Sequence, residues 1–541
     1  MLATRFGTIP SQGGGGTCID GLDYGKKITV PSAKIDGELS NFPLTVYLNE
    51  DNFDFTKCKA DGSDIRFTDI ELNNLKFERK EHDSVNEIAV YNVQLPTVSD
   101  TTDTEIYMWY GNENAYNASM EAWQDMTGKA LTYNGNVKLQ YDSTLGKRKA
   151  VFDGSGDYFE VPNTSSIEFG VENFTIEYWQ YKTSYTSAYE ATFSLGRSGY
   201  SLNVIYNGTG SAGHSILVGN SLGGWAVNIS YPKPALNQWH HFSLVRNGDT
   251  FTMYIDGVSQ GTSTYSGSLG SYANNLTFGG ARNSSGAFFG DSWFSGNIGG
   301  FRITKGRARY TSTFTPPTPF DIDGDDVVFC TNFDTVYDEN YAMVQHMGDS
   351  LVDASGNGNN GTATGTTVVS TDYGKVRQFT RASSHKIAIP NIAFSAGSAF
   401  TINLLAKLDA IATYGSMPYG YATTTYKSYM FYTNTAFNLT DNTQALMITK
   451  PTVQSGSGWE DVTAKTENGV AKLFKDGVSL GTNNFAHAGF NLNSIGQAYN
   501  SSYHVNGLIA DFRVSTVARS DAWIKAESLA LKNDLVVITD L

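Results

Sequence analysis

A stretch of about 25 residues occurs twice in this chain, and this repeat constrains the fold more than any other feature. QWHHFSLVRNGDTFTMYIDGVSQGT (238–262) aligns with GWEDVTAKTENGVAKLFKDGVSLGT (458–482), so that Trp239 matches Trp459. Both copies alternate apolar and polar residues with a period of two, which is typical of half-buried strands. Asp-Gly near the end of each copy supplies the positive φ angles of tight hairpin turns. The sequence therefore predicts two copies of one β-rich domain.

The first copy contains G-V-S-Q-G (257–261), a formal match to the nucleophile elbow of serine hydrolases. That chemistry requires a strand that turns sharply into a helix, which exposes the serine and supplies an oxyanion site. The residues that follow, TSTYSGSLGSY, are β-branched, small or aromatic and have no helical period. The second copy repeats the serine as Ser479. We therefore predict that Ser259 and Ser479 lie in β-meanders and are not nucleophiles.

Composition and charge narrow the class of protein. The chain of 541 residues is long enough for about three domains. It has 17% charged and 13% aromatic residues and 55 glycines, which is typical of an all-β protein with many turns. The net charge of −15 repels nucleic-acid phosphates and anionic membrane surfaces. We therefore expect no nucleic-acid partner.

The cysteines and the apolar runs bear on the cellular compartment. Cys18, Cys58 and Cys330 are odd in number and widely separated, which predicts free thiols in a protein made in a reducing compartment. The N-terminal MLATRFGTIPSQGGGG lacks the apolar core of a secretory signal, and no run approaches the ~20 apolar residues of a membrane span. We expect neither a signal peptide nor membrane insertion.

Two resemblances organise the first part of the chain. Residues 24–117, through KITV, FPLTVYL and the closing IYMWYGN, resemble a small β-sandwich domain of unknown activity found in bacterial and viral surface proteins. Residues 118–320 resemble a concanavalin A-like, laminin G-like jelly roll through VFDGSGDYFEVP, NFTIEYW and FSGNIGGFRITKGRARYTSTFTPPTPF. The last of these segments is similar to the terminus of lectin-like modules in bacteriophage tail and other virion proteins.

The remaining segments lie before, between and after the regions that carry these resemblances. Residues 1–23 are predicted to form a flexible or extended arm, 321–326 a linker, and 327–541 a second jelly roll that opens with VVFCTNFD. The predicted fold class is all-β, a small β-sandwich followed by two concanavalin A-like jelly-roll sandwiches, each made of two antiparallel sheets packed face to face. We expect Trp239 and Trp459 to fill the two cores and a short helix near Asp521 to Leu531.

Candidate ligand-binding residues are aromatic side chains in Gly- and Asn-rich stretches, because exposed aromatic faces stack on sugar rings. They are Trp225, Tyr231, Phe288, Phe289 and Trp293. Core packing is the alternative interpretation for each of them.

The resemblance to laminin G-like domains also implies that a calcium ion can bind at the rim of the sandwich. The candidate ligands are Asp153, Asp157, Asp349 and Asp353, which are short acidic residues near turns. Aspartate is also a turn former in its own right. No cofactor is required by the sequence, and calcium is an open alternative.

Two other constellations have two interpretations each. The basic segment RITKGRAR contains Arg302, Lys305, Arg307 and Arg309. It is interpreted either as a binding site for an acidic glycan or phosphate or as an exposed final strand and the residues that leave it. A jelly-roll glycosidase would need two facing carboxylates, but FTIEYWQY offers only Glu177 and the second copy has Asn403 there. The sequence therefore favours a non-enzymatic protein.

The resemblance to virion modules implies a structural protein on the surface of a phage particle, assembled in the host cytoplasm. We expect the N-terminal region to contact other virion proteins, the chain to form a homo-oligomer, and the lectin-like domains to bind host-surface glycans for attachment. The alternatives are purely structural decoration of a capsid or tail and a bacterial cell-surface adhesin.

Overall fold

The computed structural model describes residues 22–112, 132–134, 137–142, 144–145, 147–161, 167–185, 190–195, 206–207, 214–219, 225–269, 275–282, 287–288, 292–317, 320, 326–331, 335–409, 416–420, 429–432, 436–443, 445–451, 458–498 and 503–541. The contacts divide the chain into two compact units. One unit comprises Met1–Ser119, Thr335–Ser355 and Asn359–Leu541, and the other comprises Met120–Asp334 and Gly356–Gly358.

The second of these units contains the first sandwich, the sheets formed by strands 7 to 22. The strands are β7 (Thr132–Asn134), β8 (Lys138–Asp142), β9 (Lys147–Asp153), β10 (Tyr158–Val161), β11 (Phe174–Tyr181), β12 (Glu190–Ala191), β13 (Phe193–Leu195), β14 (Tyr206–Asn207), β15 (His214–Gly219), β16 (Trp225–Tyr231), β17 (Trp239–Asn247), β18 (Thr250–Ile255), β19 (Val258–Thr264), β20 (Leu276–Phe278), β21 (Ser295–Lys305) and β22 (Val327–Thr331).

Three sheets make up the first sandwich. The largest has the order β19-β18-β17-β11-β21-β9-β8, and the two smaller ones are β13-β20-β10-β7 and β12-β14-β15-β16. Side chains of the large and small sheets meet in one apolar core, where the ring of Phe278 lies 4.7 Å from that of Phe301 and the ring of Tyr178 lies 5.6 Å from that of Phe193. The predicted face-to-face packing is confirmed for this copy.

The other unit contains a small domain and a second sandwich. The small domain consists of β1 (Tyr24–Val30), β2 (Leu39–Asn49), β3 (Arg66–Thr68), β4 (Phe77–Asp83), β5 (Ile88–Val98) and β6 (Thr104–Tyr110), with 3₁₀ turns at Ser32–Lys34 and Phe55–Lys57. The second sandwich consists of β23 (Tyr341–Gln345), β24 (Thr362–Thr364), β25 (Thr367–Thr371), β26 (Gly374–Phe379), β27 (Lys386–Phe394), β28 (Phe400–Leu408), β29 (Ser416–Gly420), β30 (Tyr429–Tyr432), β31 (Ala436–Thr440), β32 (Leu446–Pro451), β33 (Glu460–Glu467), β34 (Val470–Lys475), β35 (Val478–Asn484), β36 (Phe490–Ile495), β37 (Gln497–Ala498), β38 (Tyr503–His504) and β39 (Gly507–Ser515), with a 3₁₀ turn at Arg381–Ser383. Helix α1 (Asp521–Leu531) and strand β40 (Val537–Asp540) end the chain.

The second sandwich repeats the strand order of the first. Its large sheet runs β25-β26-β39-β28-β33-β34-β35, and its facing sheet runs β24-β27-β36-β29-β30-β31-β32. The repeated hairpins align in structure as well as in sequence, because Asp256 and Asp476 have φ angles of 51° and 49° and the glycine that follows each also has positive φ. The all-β fold class and the β-meander position of Ser259, which is exposed on β19, are confirmed.

One strand differs from the expected boundary. Strand β22, which contains the VVFCT expected to open the second sandwich, pairs with β21 of the first sandwich. The equivalent place beside β39 is taken by β23. The two copies therefore fill the same sheet position from opposite ends of the domain: the first uses a strand that follows it in the chain, and the second uses a strand that precedes it. Accordingly, the sequence of residues 118–150 contains no segment similar to VVFCTNFD.

The prediction for the repeated tryptophans is wrong. Trp239 and Trp459 are half-buried residues at the start of the hairpin and not members of the main cores. Trp239 packs against Tyr181 with ring centroids 5.5 Å apart, and Trp459 packs against Tyr373 at 5.0 Å. Apolar residues farther along the strands fill the cores instead, because the tryptophans stand at the strand ends.

The small domain and the second sandwich are built around a shared apolar cluster. Trp523 of α1 is 5% exposed and contacts Phe42 of β2, with ring centroids 5.2 Å apart. Tyr47 donates a hydrogen bond to the carbonyl of Leu531 at 2.9 Å. Strand β40 pairs with β1 and so completes the sheet β3-β6-β1-β40 of the small domain. The small domain therefore depends on the C-terminal residues for part of its core and one of its strands.

The helix predicted near Asp521 to Leu531 is confirmed, and its sequence explains where it begins. Ser520 is the N-cap, and its side chain accepts a hydrogen bond from the amide of Trp523 at 3.1 Å. Asp521 adds a negative charge to the first turn, where the helix dipole favours it. None of the helices in the described part of the chain is long and apolar enough to cross a membrane.

Candidate functional site

An outward row of polar side chains crosses the sheet β13-β20-β10-β7 of the first sandwich. In β10, Phe159 and Val161 point into the core, so Tyr158 and Glu160 point away from it. Glu160 lies directly opposite Thr277 of β20, and the Thr277 hydroxyl donates a hydrogen bond to Glu160 Oε1 at 2.9 Å. The alternation of the strand thus places a fixed carboxylate on the outer face.

Three aromatic rings gather beside this carboxylate. The centroid of Tyr158 lies 4.5 Å from that of Phe288 and 5.9 Å from that of Trp293, and the rings of Phe288 and Trp293 are 4.6 Å apart. All three side chains are partly exposed. Gly280 leaves room for them, since a Cβ atom there would lie 3.2 Å from atoms of both Phe288 and Trp293. We call Tyr158, Phe288 and Trp293 the aromatic cluster.

Arg282 joins the rings to the carboxylate. Its guanidinium carbon lies 4.1 Å from the centroid of Phe288, a cation–π distance, and its Nε donates a hydrogen bond to Glu160 Oε1 at 2.9 Å. A second guanidinium nitrogen pairs with the same carboxylate oxygen. Asn275 lies at the edge of the pair, with its Nδ2 3.4 Å from Glu160 Oε2. The site therefore presents ring faces, hydrogen-bond donors and acceptors side by side.

The predicted aromatic residues separate into two groups. Phe288 and Trp293 belong to the aromatic cluster, whereas Phe289 lies outside the described residues. Trp225 and Tyr231 stand at opposite ends of β16, on a different sheet. Trp225 is 42% exposed, but Tyr231 is buried and stacks on His214 at 5.7 Å, so core packing accounts for Tyr231.

Tyr158, Glu160 and Arg282 were not among the predicted site residues. The period-two pattern of YFEV predicts part of the site, because it places Tyr158 and Glu160 on the face of the strand opposite to Phe159 and Val161. Nothing local to β10 indicates that Arg282 and Phe288 pair with each other and lie against this face.

The second sandwich does not repeat the site. The pair Glu160–Thr277 corresponds in register to Ala388–Ser494 of β27 and β36, and Tyr158 corresponds to Lys386. The carboxylate and the first ring are therefore both missing at the equivalent positions of the second sandwich. Among the residues that the structure describes, only the first sandwich combines them.

The calcium candidates are engaged in turns or ion pairs. Asp157 is buried and accepts a hydrogen bond from the amide of Asp153 at 2.9 Å, while Asp153 accepts one from the amide of Ser155 at 2.7 Å. Asp349 pairs with Lys375 at 2.6 Å. Asp353 is buried and accepts hydrogen bonds from the amides of residues 344, 355 and 359. Within the described residues, no three His, Cys, Asp or Glu side chains converge as a metal site would need. Calcium binding stays a prediction.

Glu177 and the basic segment form an internal charge network. Glu177 is fully buried and pairs with Arg302 at 2.8 Å, with His241 at 3.2 Å and with the hydroxyl of Tyr310 at 2.8 Å. Burial alone would raise the pKa of Glu177, but hydrogen bonding from His241 and the charge of Arg302 outweigh burial and lower it. Arg302 is 3% exposed, so β21 is not the exposed strand of the second interpretation. The network links β11 to β17 and β21 within the sandwich, and its carboxylate is inaccessible to solvent.

The small domain holds a cysteine and a histidine close together near a surface cavity of about 710 Å³. Cys58 Sγ lies 3.6 Å from His82 Nε2. Burial, reinforced by the charge of Asp64, raises the pKa of Cys58 to about 12, and burial lowers the pKa of His82 to about 4. The thiol stays protonated and the imidazole neutral at physiological pH. The pair therefore lacks the thiolate that nucleophilic chemistry requires.

The described residues form two antiparallel β-sandwiches whose large sheets have the same strand order. Residues 153–309 and 381–525, together more than half of the chain, match the family described as the concanavalin A-like lectin/glucanases superfamily. The chain belongs to this superfamily. Residues 61–134 match a domain of unknown function, DUF2341. A search of curated protein sequences finds no match.

Solved structures are similar at low identity. Domain 4 of an extracellular arabinanase from Geobacillus stearothermophilus, solved with arabinotriose, is 15% identical, with a TM-score of 0.29, over 34% of this chain and 97% of that one. A pentraxin from Limulus polyphemus is 18% identical, with a TM-score of 0.22, over 29% and 76%. The CBM40 of a Ruminococcus gnavus sialidase, bound to α2,3-sialyllactose, is 18% identical, with a TM-score of 0.21, over 26% and 96%. The family assignment rests on the sequence matches and not on these structures.

Proposed function

We propose that this protein is a non-enzymatic carbohydrate-binding protein and that the outer face of the first sandwich holds the sugar. The observation that supports this most is the aromatic cluster beside the Glu160–Arg282 pair. Partly exposed rings bind the apolar C–H face of a pyranose, and the adjacent carboxylate and guanidinium can exchange hydrogen bonds with its hydroxyl groups.

A tryptophan substitution tests this function. In the full chain, Trp293→Ala removes one ring of the aromatic cluster, and Trp225→Ala is the matched control because it removes an exposed tryptophan from another sheet of the same sandwich. We expect Trp293→Ala to weaken binding on a glycan array and in calorimetry by about tenfold or more, which corresponds to ~1.4 kcal/mol, and Trp225→Ala to leave it unchanged. Binding that survives Trp293→Ala and fails in Trp225→Ala would move the site to the other sheet.

We infer that the protein is displayed on the surface of a phage particle and uses this site for attachment to the host. The support is the resemblance of residues 294–320 to modules of virion proteins. Several copies in a homo-oligomer would give avidity to individually weak sugar contacts, with the N-terminal region contacting other virion proteins. Mass spectrometry of purified particles tests this placement, and a chain found only in the host envelope fraction would favour a bacterial adhesin.

Structural decoration is the second candidate, and one observation favours it. At its described positions the second sandwich lacks the site, and it shares its apolar cluster with the small domain, as an architectural module would. Pre-incubation of host cells with the purified protein distinguishes the two functions. Reduced phage adsorption supports attachment, whereas unchanged adsorption together with an empty glycan array supports decoration.

A further inference from the structure

The charge balance of the site bears on which sugars it accepts. Proteins that bind acidic sugars commonly offer an arginine whose donors are open to the ligand carboxylate. Arg282 is arranged differently, because Nε and a terminal nitrogen both pair with Glu160. The side chains of Arg282 and Glu160 are only 20% and 13% exposed. The strongest donor direction of the guanidinium is therefore already occupied by an internal carboxylate.

Glu160 is built into the sheet and cannot easily leave this pair. It lies on β10 in register with Thr277, which is fully buried and donates to its Oε1. The stacking of Arg282 on Phe288 holds the guanidinium from the other side. A ligand carboxylate that approached Arg282 would meet the negative charge of Glu160 at short range, within a chain whose net charge is −15.

A neutral sugar is not repelled by Glu160. Its hydroxyl groups can donate to the remaining lone pairs of Glu160, while its C–H face covers the rings of Trp293 and Tyr158. No charge has to be displaced for these contacts. We propose that the site selects neutral pyranose glycans and rejects sialylated, uronate-containing or sulfated ones, with Glu160 as the residue that sets this specificity. This inference rests on the proposed carbohydrate-binding function.

The test compares matched glycans on the full chain. An array carries neutral oligosaccharides and the same oligosaccharides with a sialic acid, a uronate or a sulfate, and hits are measured by calorimetry at low and high salt. We expect the unmodified protein to bind at least one neutral glycan about tenfold or more tightly than its acidic counterpart. We expect Glu160→Gln, which keeps an acceptor oxygen and the side-chain shape, to gain about tenfold for the acidic glycans in a salt-sensitive way.

Glu172→Gln is the control, because it also removes one negative charge from the first sandwich but at a 53% exposed side chain paired with Lys305. Equal or tighter binding of acidic glycans by the unmodified protein, lost in Trp293→Ala, overturns the selectivity and leaves the proposed function intact. Binding of no glycan at all overturns both. Comparing the affinities of the unmodified protein for neutral and acidic glycans tests the selectivity even where Glu160→Gln does not fold.

Discussion

His346 of the second sandwich lies 3.0 Å from Glu78 of the small domain, measured from Nε2 to Oε2. Its other nitrogen, Nδ1, lies 2.8 Å from Asp511 Oδ2 on β39. Only a protonated imidazole can donate to both carboxylates, because a neutral ring has one N–H group. His346 thus joins the small domain to the second sandwich through a charge that depends on pH.

The stability of the full chain should therefore fall as pH rises above the normal range of histidine. Burial lowers the pKa of His346, but Glu78 and Asp511 outweigh burial and raise it above 6.5. A raised pKa in the folded state gives stability that is complete below the unfolded value and is lost as pH rises through the folded value. A difference of one pH unit between the folded and unfolded pKa corresponds to about 1.4 kcal/mol of unfolding free energy.

The measurement is thermal or denaturant unfolding of wild type and His346→Gln between about pH 6 and pH 9. Glutamine keeps a hydrogen-bonding group but does not titrate, so its pH slope should be flatter. The other groups that face this site, Tyr337, Lys80 and Arg513, stay unchanged in both proteins. Equal slopes for the two proteins would rule out His346 as the cause.

A second pH effect should come from Asp461 of β33. Burial, with a further contribution from the charge of Glu527, raises the pKa of Asp461 from its ordinary 3.8 to about 7. As for His346, the raised pKa means that Asp461 stabilises the folded chain in acid. This stabilisation is lost as pH rises toward and through about 7. Asp461→Asn should remove this part of the pH dependence. Asp534→Asn, at an exposed carboxylate, is the control for the loss of one acidic group. A mutant profile that retains the wild-type slope below neutrality would contradict this account.

Trp523→Ala should destabilise the small domain and the second sandwich together. The indole is 5% exposed and packs on Phe42 of β2, so its loss leaves a cavity in the shared cluster that should cost about 3–5 kcal/mol of unfolding free energy. Trp459→Ala removes a half-buried indole and should cost less. Hydrogen exchange measured at increasing denaturant concentration checks whether the small domain and the second sandwich lose amide protection together. Loss of protection in only one of the two parts would be inconsistent with a shared core.

The first sandwich should be removable. A chain in which a Gly/Ser linker replaces residues 120–334 retains β40, α1 and the small domain, and we expect it to unfold cooperatively by circular dichroism. A fragment of residues 22–119 should not fold, because it lacks the β40 strand and the side chain of Trp523. A stable fragment would show that the small domain is independent of the second sandwich.

The sequence predicts the strands and turns of this chain better than it predicts the site. Asp256-Gly257 and Asp476-Gly477 specify their turns through local φ preferences. Ser520 and Asp521 specify the start of the helix through a capping hydrogen bond and a charge that the helix dipole favours. The place of β22 could not be read locally, because either of two apolar segments can complete the same sheet edge.

The aromatic cluster illustrates the same limit. Tyr158 and Glu160 have a predictable facing, but their contact with Arg282 and Trp293 joins residues more than a hundred positions apart. Period-two alternation assigns a residue to a face, whereas tertiary register decides which side chains meet on that face. The half-buried positions of Trp239 and Trp459 illustrate the same distinction, since their repetition in the sequence does not determine how deeply they are buried.

The division of the chain has a consequence for proteolysis. The first sandwich interrupts the other unit in sequence and does not follow it, so both of its ends continue into that unit. A domain appended to the end of a chain is released by one cut in its connection. Here a protease that cuts near residue 119 or near residue 334 leaves the first sandwich covalently held by the other connection, and release requires two cuts.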